Sequence, residues 1–221
     1  MVSKAYIFDF LRDLSNNNSK DWMDDNRDRY HNAKERWLEE IDLILQRLSK
    51  HDSFFTLFKP KDTVSRINNN RRFNKDRPLY KDYFNCMPMS GDDNFARIAI
   101  AAGISWSFIG GGLHSPDKEN LDRMRAAIDY DGEVLKEILD KKEFQDFFGG
   151  LAEDKHELKT APRDYDINHK HIDLIKRKNF TATTNLAQKI VVSDSFVDYV
   201  EEAYLILRPF TDYVARALTV E

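Results

Sequence analysis

The chain has 221 residues, of which 41% are hydrophobic and 12% aromatic, so it is long and apolar enough to bury a sizeable core. Its 34 basic and 38 acidic residues give a net charge of −4, which argues against a protein that coats nucleic acid through overall charge. The apolar runs are far shorter than the roughly 18 residues of a membrane span, and no signal pattern follows Met1, so the sequence predicts a cytoplasmic protein without membrane contact.

Apolar residues at helical spacing predict helices throughout the first fifty residues. The first helix is predicted to have Ser3 as its N-cap and to end at the asparagine run 16–18. Ser19 is the predicted N-cap of a second helical stretch, which continues into an apolar stripe from Trp37 to Leu48. We interpret these stripes as core packing without a functional role.

The helical pattern stops after residue 50, and a different composition follows. β-Branched and aromatic residues predict short strands at 53–58 and 62–67. The polar segment 68–78 has no apolar periodicity apart from Phe73 and is predicted to be a loop. Two more strands, at about 96–101 and 105–109, are predicted to form a hairpin around Gly103.

Glycines 110–112 are predicted to form a tight turn from the last strand into a helix. That helix is predicted to begin with Ser115 as N-cap and Pro116 in the first turn, and to run to about Asp129.

One or two short helices are predicted to end at Gly149 and Gly150, followed by a segment at 151–170 that is mostly loop. The alternating sequence 179–185 predicts a strand. A long helix with Pro209 as a candidate kink is predicted to close the chain, capped by Ser193 or Asp194.

Helices at both ends with short strands between them predict an α+β fold. We expect a single domain over residues 1–221, with a short, largely antiparallel sheet flanked by N- and C-terminal helices. The sequence contains no internal repeat and no low-complexity linker that marks a domain boundary.

Positive charge is concentrated in one non-helical stretch. Residues 59–81 carry a net charge of +6, which leaves −10 for the remainder of the chain. Arginine presents a planar fork of donors that suits phosphate and carboxylate groups. The sequence therefore predicts that the basic residues of 65–81 surround a small anionic ligand that bears phosphate or carboxylate. These residues are Arg66, Arg71, Arg72, Lys75, Arg77 and Lys81.

Two alternatives to a small anionic ligand remain open. In the first, the basic segment is purely structural and pairs with carboxylates of the N-terminal helices, namely Asp13, Asp21, Asp24, Asp25 and Glu35. In the second, the chain is a non-enzymatic interaction module that contacts nucleic acid or an acidic protein. The local character of the charge favours the small anion over nucleic acid.

Two other segments are predicted to converge with the basic segment on one cleft. Gly111 and Gly112 allow close backbone approach to a ligand, and His114 stands beside a predicted helix N-terminus that offers free N–H groups. The segment 159–171 adds His169 and His171. Two histidines do not make a metal site, so the sequence predicts neither a metal nor a cofactor.

Nothing in the sequence names a catalytic residue. It contains no nucleophile motif, no paired-carboxylate pattern and no metal cluster, so whether the protein is an enzyme is undecided. The single cysteine, Cys86, excludes an intrachain disulfide, and we interpret it as a small, half-buried filler. The sequence does not define the oligomeric state.

Four stretches, in order, carry a family resemblance: residues 16–30, 65–81, 110–128 and 157–180. On these stretches the chain resembles domain-of-unknown-function family 2461, a family of bacteria and fungi. The resemblance implies a single domain and supplies no activity, cofactor or catalytic set. The chain departs from the family pattern at Asn70, where an aspartate is expected, at Asn74, where a serine is expected, and at 168–170, where Asn-His-Lys replaces Asp-His-Pro.

Overall fold

A computed structural model describes residues 2–72, 74–89 and 94–219. Phe73, the apolar residue of the predicted loop, lies outside these ranges. In chain order the helices are α1 (Ala5–Asn16), α2 (Lys20–Asp25), α3 (Arg27–Leu48), α4 (Lys118–Asp140), α5 (Lys142–Phe148), α6 (Ile172–Ile175), α7 (Gln188–Val191) and α8 (Phe196–Thr219). None of the described helices combines the length and apolarity that a membrane crossing requires.

The strands form one antiparallel sheet in the order β1-β2-β3-β4. They are β1 (Tyr83–Cys86), β2 (Phe95–Gly103), β3 (Phe108–Leu113) and β4 (Phe180–Asn185). In the pairing of β1 with β2, Tyr83 lies opposite Gly103 and Cys86 lies opposite Ile100. Helices precede and follow the sheet, so the predicted α+β class is confirmed.

The chain divides into two compact units. The first unit is Met1–Pro88, Ala99–Ile109 and Asn185–Glu202, and the second is Met89–Ile98, Gly110–Thr184 and Ala203–Glu221. The prediction that 1–221 forms one domain stays a prediction.

The first unit builds its core on the apolar stripe of α3. Trp37 is fully buried, and its indole N–H donates to the carbonyl of Asn85 at 3.0 Å. Phe196 stacks on the indole with ring centroids 6.2 Å apart. A buried tryptophan with a satisfied N–H both fills volume and fixes orientation, so this side chain ties α3 to β1.

The second unit packs α4 and α5 against the C-terminal part of α8. Phe144 of α5 meets Phe210 of α8 edge to face, with ring centroids 6.0 Å apart. Met124 and Ile128 of α4 are fully buried. Helix α4 is interrupted at Asp131, whose backbone angles are not helical, and the Tyr213 hydroxyl donates to the Asp131 carboxylate at 2.8 Å.

Of four predicted helix N-caps, one agrees with the structure; the last, Ser193 or Asp194, is wrong because α8 begins at Phe196, directly after Ser195. The prediction for Ser19 is confirmed, since its hydroxyl accepts from the N–H of Trp22. Ser3 does not cap α1, because Lys4 occupies that position without a side-chain bond. Ser115 does not cap α4 either, since Asp117 accepts from Asn120 N–H at 2.8 Å, and the helix continues past Asp129 to Asp140.

The strands predicted at 53–58 and 62–67 are wrong. Short 3-10 turns occupy Ser53–Leu57 and Pro60–Asp62 instead. The Asp52 side chain caps the first turn by accepting from Phe54 N–H at 2.9 Å, and Phe54 packs its ring against its neighbours Phe55 and Phe58. The aromatic content that resembled a strand therefore serves local packing, while β1, which is only four residues long, was not predicted.

Candidate functional site

The predicted basic loop forms an arch over residues 65–81, which we call the basic arch. Its two arms are joined by the bridge between Asn68 and Tyr80 and by a bond from Lys81 N–H to the carbonyl of Ile67 at 2.8 Å. Ile67 and Tyr80 are buried, so they hold the arms against the first unit. The predicted loop is confirmed in character, with its base anchored and its tip exposed.

Asn18, just after α1, clamps one arm of the arch. Its amide donates to the carbonyl of Tyr80 at 3.0 Å, and its oxygen accepts from the N–H of Tyr80 at 2.9 Å. The side chain thus satisfies both backbone groups of one residue, as a neighbouring strand does. This pair of bonds fixes the arch to the N-terminal helices.

The tip of the arch is organised by its own side chains. The Arg71 guanidinium donates to the carbonyl of Lys75, with an Nε–O distance of 3.0 Å. Asn70 accepts from the N–H of Arg72, and Asn74 accepts from the N–H of Asp76, each at 3.1 Å. Asparagine side chains that bond their own backbone two residues on stabilise turns. The asparagines therefore shape the tip, and the cations project from it.

Most of the basic side chains of the arch lack an acidic partner. Among the residues that the structure describes, no carboxylate oxygen lies within 4.0 Å of a charged nitrogen of five of them. We call these the five unpaired cations: Arg66, Arg71, Lys75, Arg77 and Lys81. Arg72 makes a contact of its own and is not one of them.

Two of the candidate carboxylates, Asp13 and Asp24, pair within the N-terminal helices instead, and Asp21, Asp25 and Glu35 form no salt bridge with a described residue. Asp13 accepts from Arg29 at 2.6 Å, and Asp24 pairs with Lys20 at 3.3 Å and with Arg27. The alternative in which these acids neutralise the arch is therefore not observed for the five unpaired cations.

Lys81 stands at the base of the arch in a partly buried setting. Its ammonium donates to the Ser65 hydroxyl at 2.7 Å and to the Arg66 carbonyl at 2.8 Å. Burial lowers the pKa of Lys81, and the neighbouring Arg66 guanidinium lowers it further. Both effects favour the approach of a negative group, which stabilises the charged ammonium.

The predicted glycine turn is wrong, because glycines 110–112 lie within strand β3. A Cβ on Gly110 would stand 2.1 Å from the Ala182 carbonyl oxygen, and one on Gly112 would stand 2.1 Å from the Phe180 carbonyl oxygen. Gly112 also has a φ of +117°, which disfavours any side chain. Gly110 and Gly112 therefore admit the backbone of β4, and a Cβ on Gly111 would stand 2.7 Å from the Ala96 carbonyl oxygen of β2.

The segments predicted to form one cleft belong to different units. The basic arch lies in the first unit, whereas Gly111, Gly112 and His114 lie in the second. His114 is exposed, and its backbone N–H donates to the carbonyl of Asn94 at 2.9 Å. A ligand role for these three residues stays a prediction.

The histidine pair of 159–171 packs against helix α4. His169 accepts from the N–H of His171 through Nδ1 at 3.1 Å, and its Nε2 lies 3.1 Å from the Asp129 carboxylate. His171 is 5% exposed, and its ring fills the space beside Gly132, where a Cβ would stand 2.6 Å from its Cδ2. Burial lowers the pKa of His171, and Lys170 lowers it further. Within 2–72, 74–89 and 94–219, no three histidine, cysteine or acidic side chains group as metal ligands.

Cys86 is fully buried in strand β1, deeper than the predicted half-buried position. Burial raises the pKa of its thiol to about 12, although a hydrogen bond with Thr63 opposes the rise. Because the thiolate is the nucleophilic form, this side chain is not set up for covalent chemistry at neutral pH.

A cavity of about 590 Å³ lies between α4 and α8 in the second unit. Sequence reasoning did not find it, because its alanines resemble ordinary helix packing. Two cations, Arg123 and Arg216, and two acids, Asp122 and Asp131, line it, so its charge is balanced and does not favour an anion. The remaining lining residues are Ala126, Ala127, Tyr130, Tyr213 and Ala217.

The fold and the arch together define an α+β protein with a four-stranded antiparallel sheet and an exposed basic segment, five of whose cations have no acidic partner among the described residues. Such a class is not tied to one chemistry. The family described as conserved hypothetical protein (DUF2461) matches residues 6–213, and the chain belongs to this family. Comparison with curated proteins and with solved structures gives no significant match.

Proposed function

We propose that the basic arch binds a small anionic ligand that bears a phosphate or carboxylate group. The observation that carries this proposal is the set of five unpaired cations, which share one 17-residue segment without a carboxylate within 4.0 Å among the described residues. Like charges held together raise the free energy of the folded state, and a bound anion relieves that cost.

The local architecture supports the proposal. The arms of the arch are fixed by Asn18 and by the bridge between Asn68 and Tyr80, so the cations are presented on an ordered base. Arginine and lysine bonds to phosphate oxygens are charge-assisted and stronger than neutral ones. The side chains of Arg66, Lys75 and Arg77 form no hydrogen bond with the described residues, so their donors are available to a ligand.

The test removes charge from the arch without removing its internal bonds. The arch variant carries Arg66→Gln, Lys75→Gln and Arg77→Gln. We expect isothermal titration of the full chain with inorganic phosphate to give saturable binding, and the arch variant to lose at least about tenfold in affinity, because the loss of even one charge-assisted bond costs about 1.5 kcal/mol.

The matched control variant carries Lys50→Gln, Lys155→Gln and Lys189→Gln. These lysines are exposed and form no salt bridge with the described residues, so the control changes net charge equally. It is expected to bind phosphate as the wild type does. Absence of saturable binding to the wild type, or equal loss in both variants, would contradict the proposal.

A further inference from the structure

Three aromatic side chains stand together beside the basic arch, all within the first unit. They are Tyr83 at the start of β1, Trp106 in the turn between β2 and β3, and Phe108 at the start of β3; we call them the aromatic platform. The rings of Tyr83 and Trp106 meet edge to face with centroids 5.3 Å apart. Those of Trp106 and Phe108 lie 4.6 Å apart at 38°.

The indole of Trp106 is available to a ligand. It is 52% exposed, whereas Trp37 is fully buried. An exposed tryptophan backed by two further rings offers an apolar face that water solvates poorly.

The turn that carries Trp106 is held in place by hydrogen bonds. Asp82 accepts from the N–H of Ile104 through its backbone and from the N–H of Ser105 through its carboxylate, both at 3.1 Å. Ser107 accepts from the N–H of Gly103 at 3.0 Å. A side chain presented from a fixed turn loses little conformational entropy when a ligand binds.

Cations of the arch adjoin the platform. The Lys81 ammonium lies over the Tyr83 ring, 5.7 Å from its centroid. Burial raises the pKa of Tyr83, Asp82 raises it further, and the positive charge of Arg77 opposes the rise. Arg66 is next to Lys81, whose ammonium donates to the Arg66 carbonyl at 2.8 Å. Lys81 therefore adjoins the platform directly, Arg77 acts electrostatically on its Tyr83, Arg66 adjoins Lys81, and Asp82 is the acid beside them.

We propose that the arch and the platform form one site for a nucleobase joined to a phosphate, with the phosphate on Arg66, Arg77 and Lys81 and the base on Trp106. Aromatic side chains beside a cationic groove are the combination that binds single nucleotides of nucleic acids by stacking and charge. This inference rests on the proposed anion function and names its ligand class. A free nucleotide and a nucleotide within a single strand share this chemistry.

The experiment titrates the full chain with three probes: inorganic phosphate, adenosine monophosphate and a ten-nucleotide oligoadenylate. We expect adenosine monophosphate to bind the wild type about tenfold more tightly than phosphate, since stacking of one base contributes a factor of roughly 5 to 150. Trp106→Leu should lose this gain and retain phosphate binding. Tyr130→Leu removes an aromatic side chain that is 91% exposed in the second unit and should change neither affinity.

A spectroscopic reading keeps the test independent of the variant's folding. Binding of adenosine monophosphate to the wild type should quench tryptophan fluorescence, because the exposed indole of Trp106 takes the stacked base, whereas inorganic phosphate should not. Oligoadenylate affinity well above that of the mononucleotide, with steep salt dependence, would assign the site to single-stranded nucleic acid. Similar affinities for both would assign it to a free nucleotide.

The outcomes separate this inference from the proposed function. If phosphate binds in an arch-dependent manner but neither nucleotide probe binds more tightly than phosphate, the aromatic platform has no role in binding and only the anion function stands. If Trp106→Leu leaves nucleotide affinity unchanged, the inference is overturned. If phosphate does not bind the wild type at all, the proposed function itself fails.

Discussion

Asp154 shows how one buried carboxylate organises a segment without regular structure. It is 8% exposed and accepts from the backbone N–H groups of His156, Lys178 and Asn179 and from the Asn179 amide. Burial alone would raise the pKa of Asp154, but these hydrogen bonds outweigh it and lower the pKa to about 2. The carboxylate therefore fastens the loop after α5 to the residues that lead into β4.

We expect Asp154→Ala to lower the free energy of unfolding by about 2 kcal/mol at pH 7, because buried donors lose their acceptor. Since the folded pKa lies below the unfolded value of 3.8, this contribution is fully present above pH 5 and disappears as the pH falls through 2. Urea unfolding at several pH values measures both effects, and the difference between wild type and variant should narrow on acidification.

The neighbouring exposed Glu153, changed to glutamine, serves as the control for Asp154 and should unfold as the wild type does. A gap between wild type and Asp154→Ala that stays constant from pH 6 to pH 2 would show that the carboxylate's charge is not what stabilises this segment.

At the scale of elements, strand β3 depends on the absence of side chains. Gly110→Ala would place a Cβ 2.1 Å from the Ala182 carbonyl oxygen and 2.7 Å from the Thr183 Cα, which are backbone atoms of β4 that cannot move cheaply. We expect a loss of about 3 kcal/mol, at the upper end of overpacking effects, measured by denaturant unfolding.

Gly149→Asn is the contrasting substitution for Gly110→Ala. Gly149 ends α5 in the left-handed region with φ of +70°, and a Cβ there meets nothing within 4 Å. Asparagine tolerates this conformation, so the loss should stay below about 1 kcal/mol. Equal effects of the two substitutions would mean that β3 and β4 are not packed as closely as the structure has them.

Some elements could be predicted from the sequence because their pattern is local. The stripe of α3 repeats every three to four residues, and β4 alternates, so periodicity identifies both. The sequence predicts a turn at the glycines of β3 because glycine normally marks one, and only the nearness of Ala182 and Phe180 explains Gly110 and Gly112. That nearness depends on residues about 70 positions away, which no local pattern contains.

The candidate site, too, can be predicted from the sequence only in part. The six cations of 65–81 can be identified from the sequence. Whether they are neutralised depends on whether the acids of the N-terminal helices form ion pairs with them. Asp13 pairs with Arg29, and Asp24 pairs with Lys20 and Arg27, which are four and three positions away. These two acids therefore do not pair with the arch. Trp106 was not singled out, because an isolated tryptophan in a hairpin carries no signal until its ring neighbours are known.

For the whole molecule, the distribution of charge matters more than its sum. The net charge is −4, yet residues 59–81 carry +6, of which the basic arch at 65–81 holds six cations and one acid, a net +5 on an ordered base. A charged matrix interacts mainly with protein charges within about one Debye length of it, roughly 10 Å at 0.1 M salt. A cation-exchange matrix can therefore bind the arch as a positive patch, even though the remainder of the molecule has a negative net charge.

We accordingly expect the wild-type chain to be retained on a phosphocellulose column at pH 7 and low salt despite its negative net charge. The arch variant and the control variant both have three fewer positive charges, so they share one net charge and differ only in where it was removed. The arch variant should pass through, and the control should elute near the salt concentration of the wild type. If the two variants elute together, retention follows net charge, and the five unpaired cations do not act as a unit.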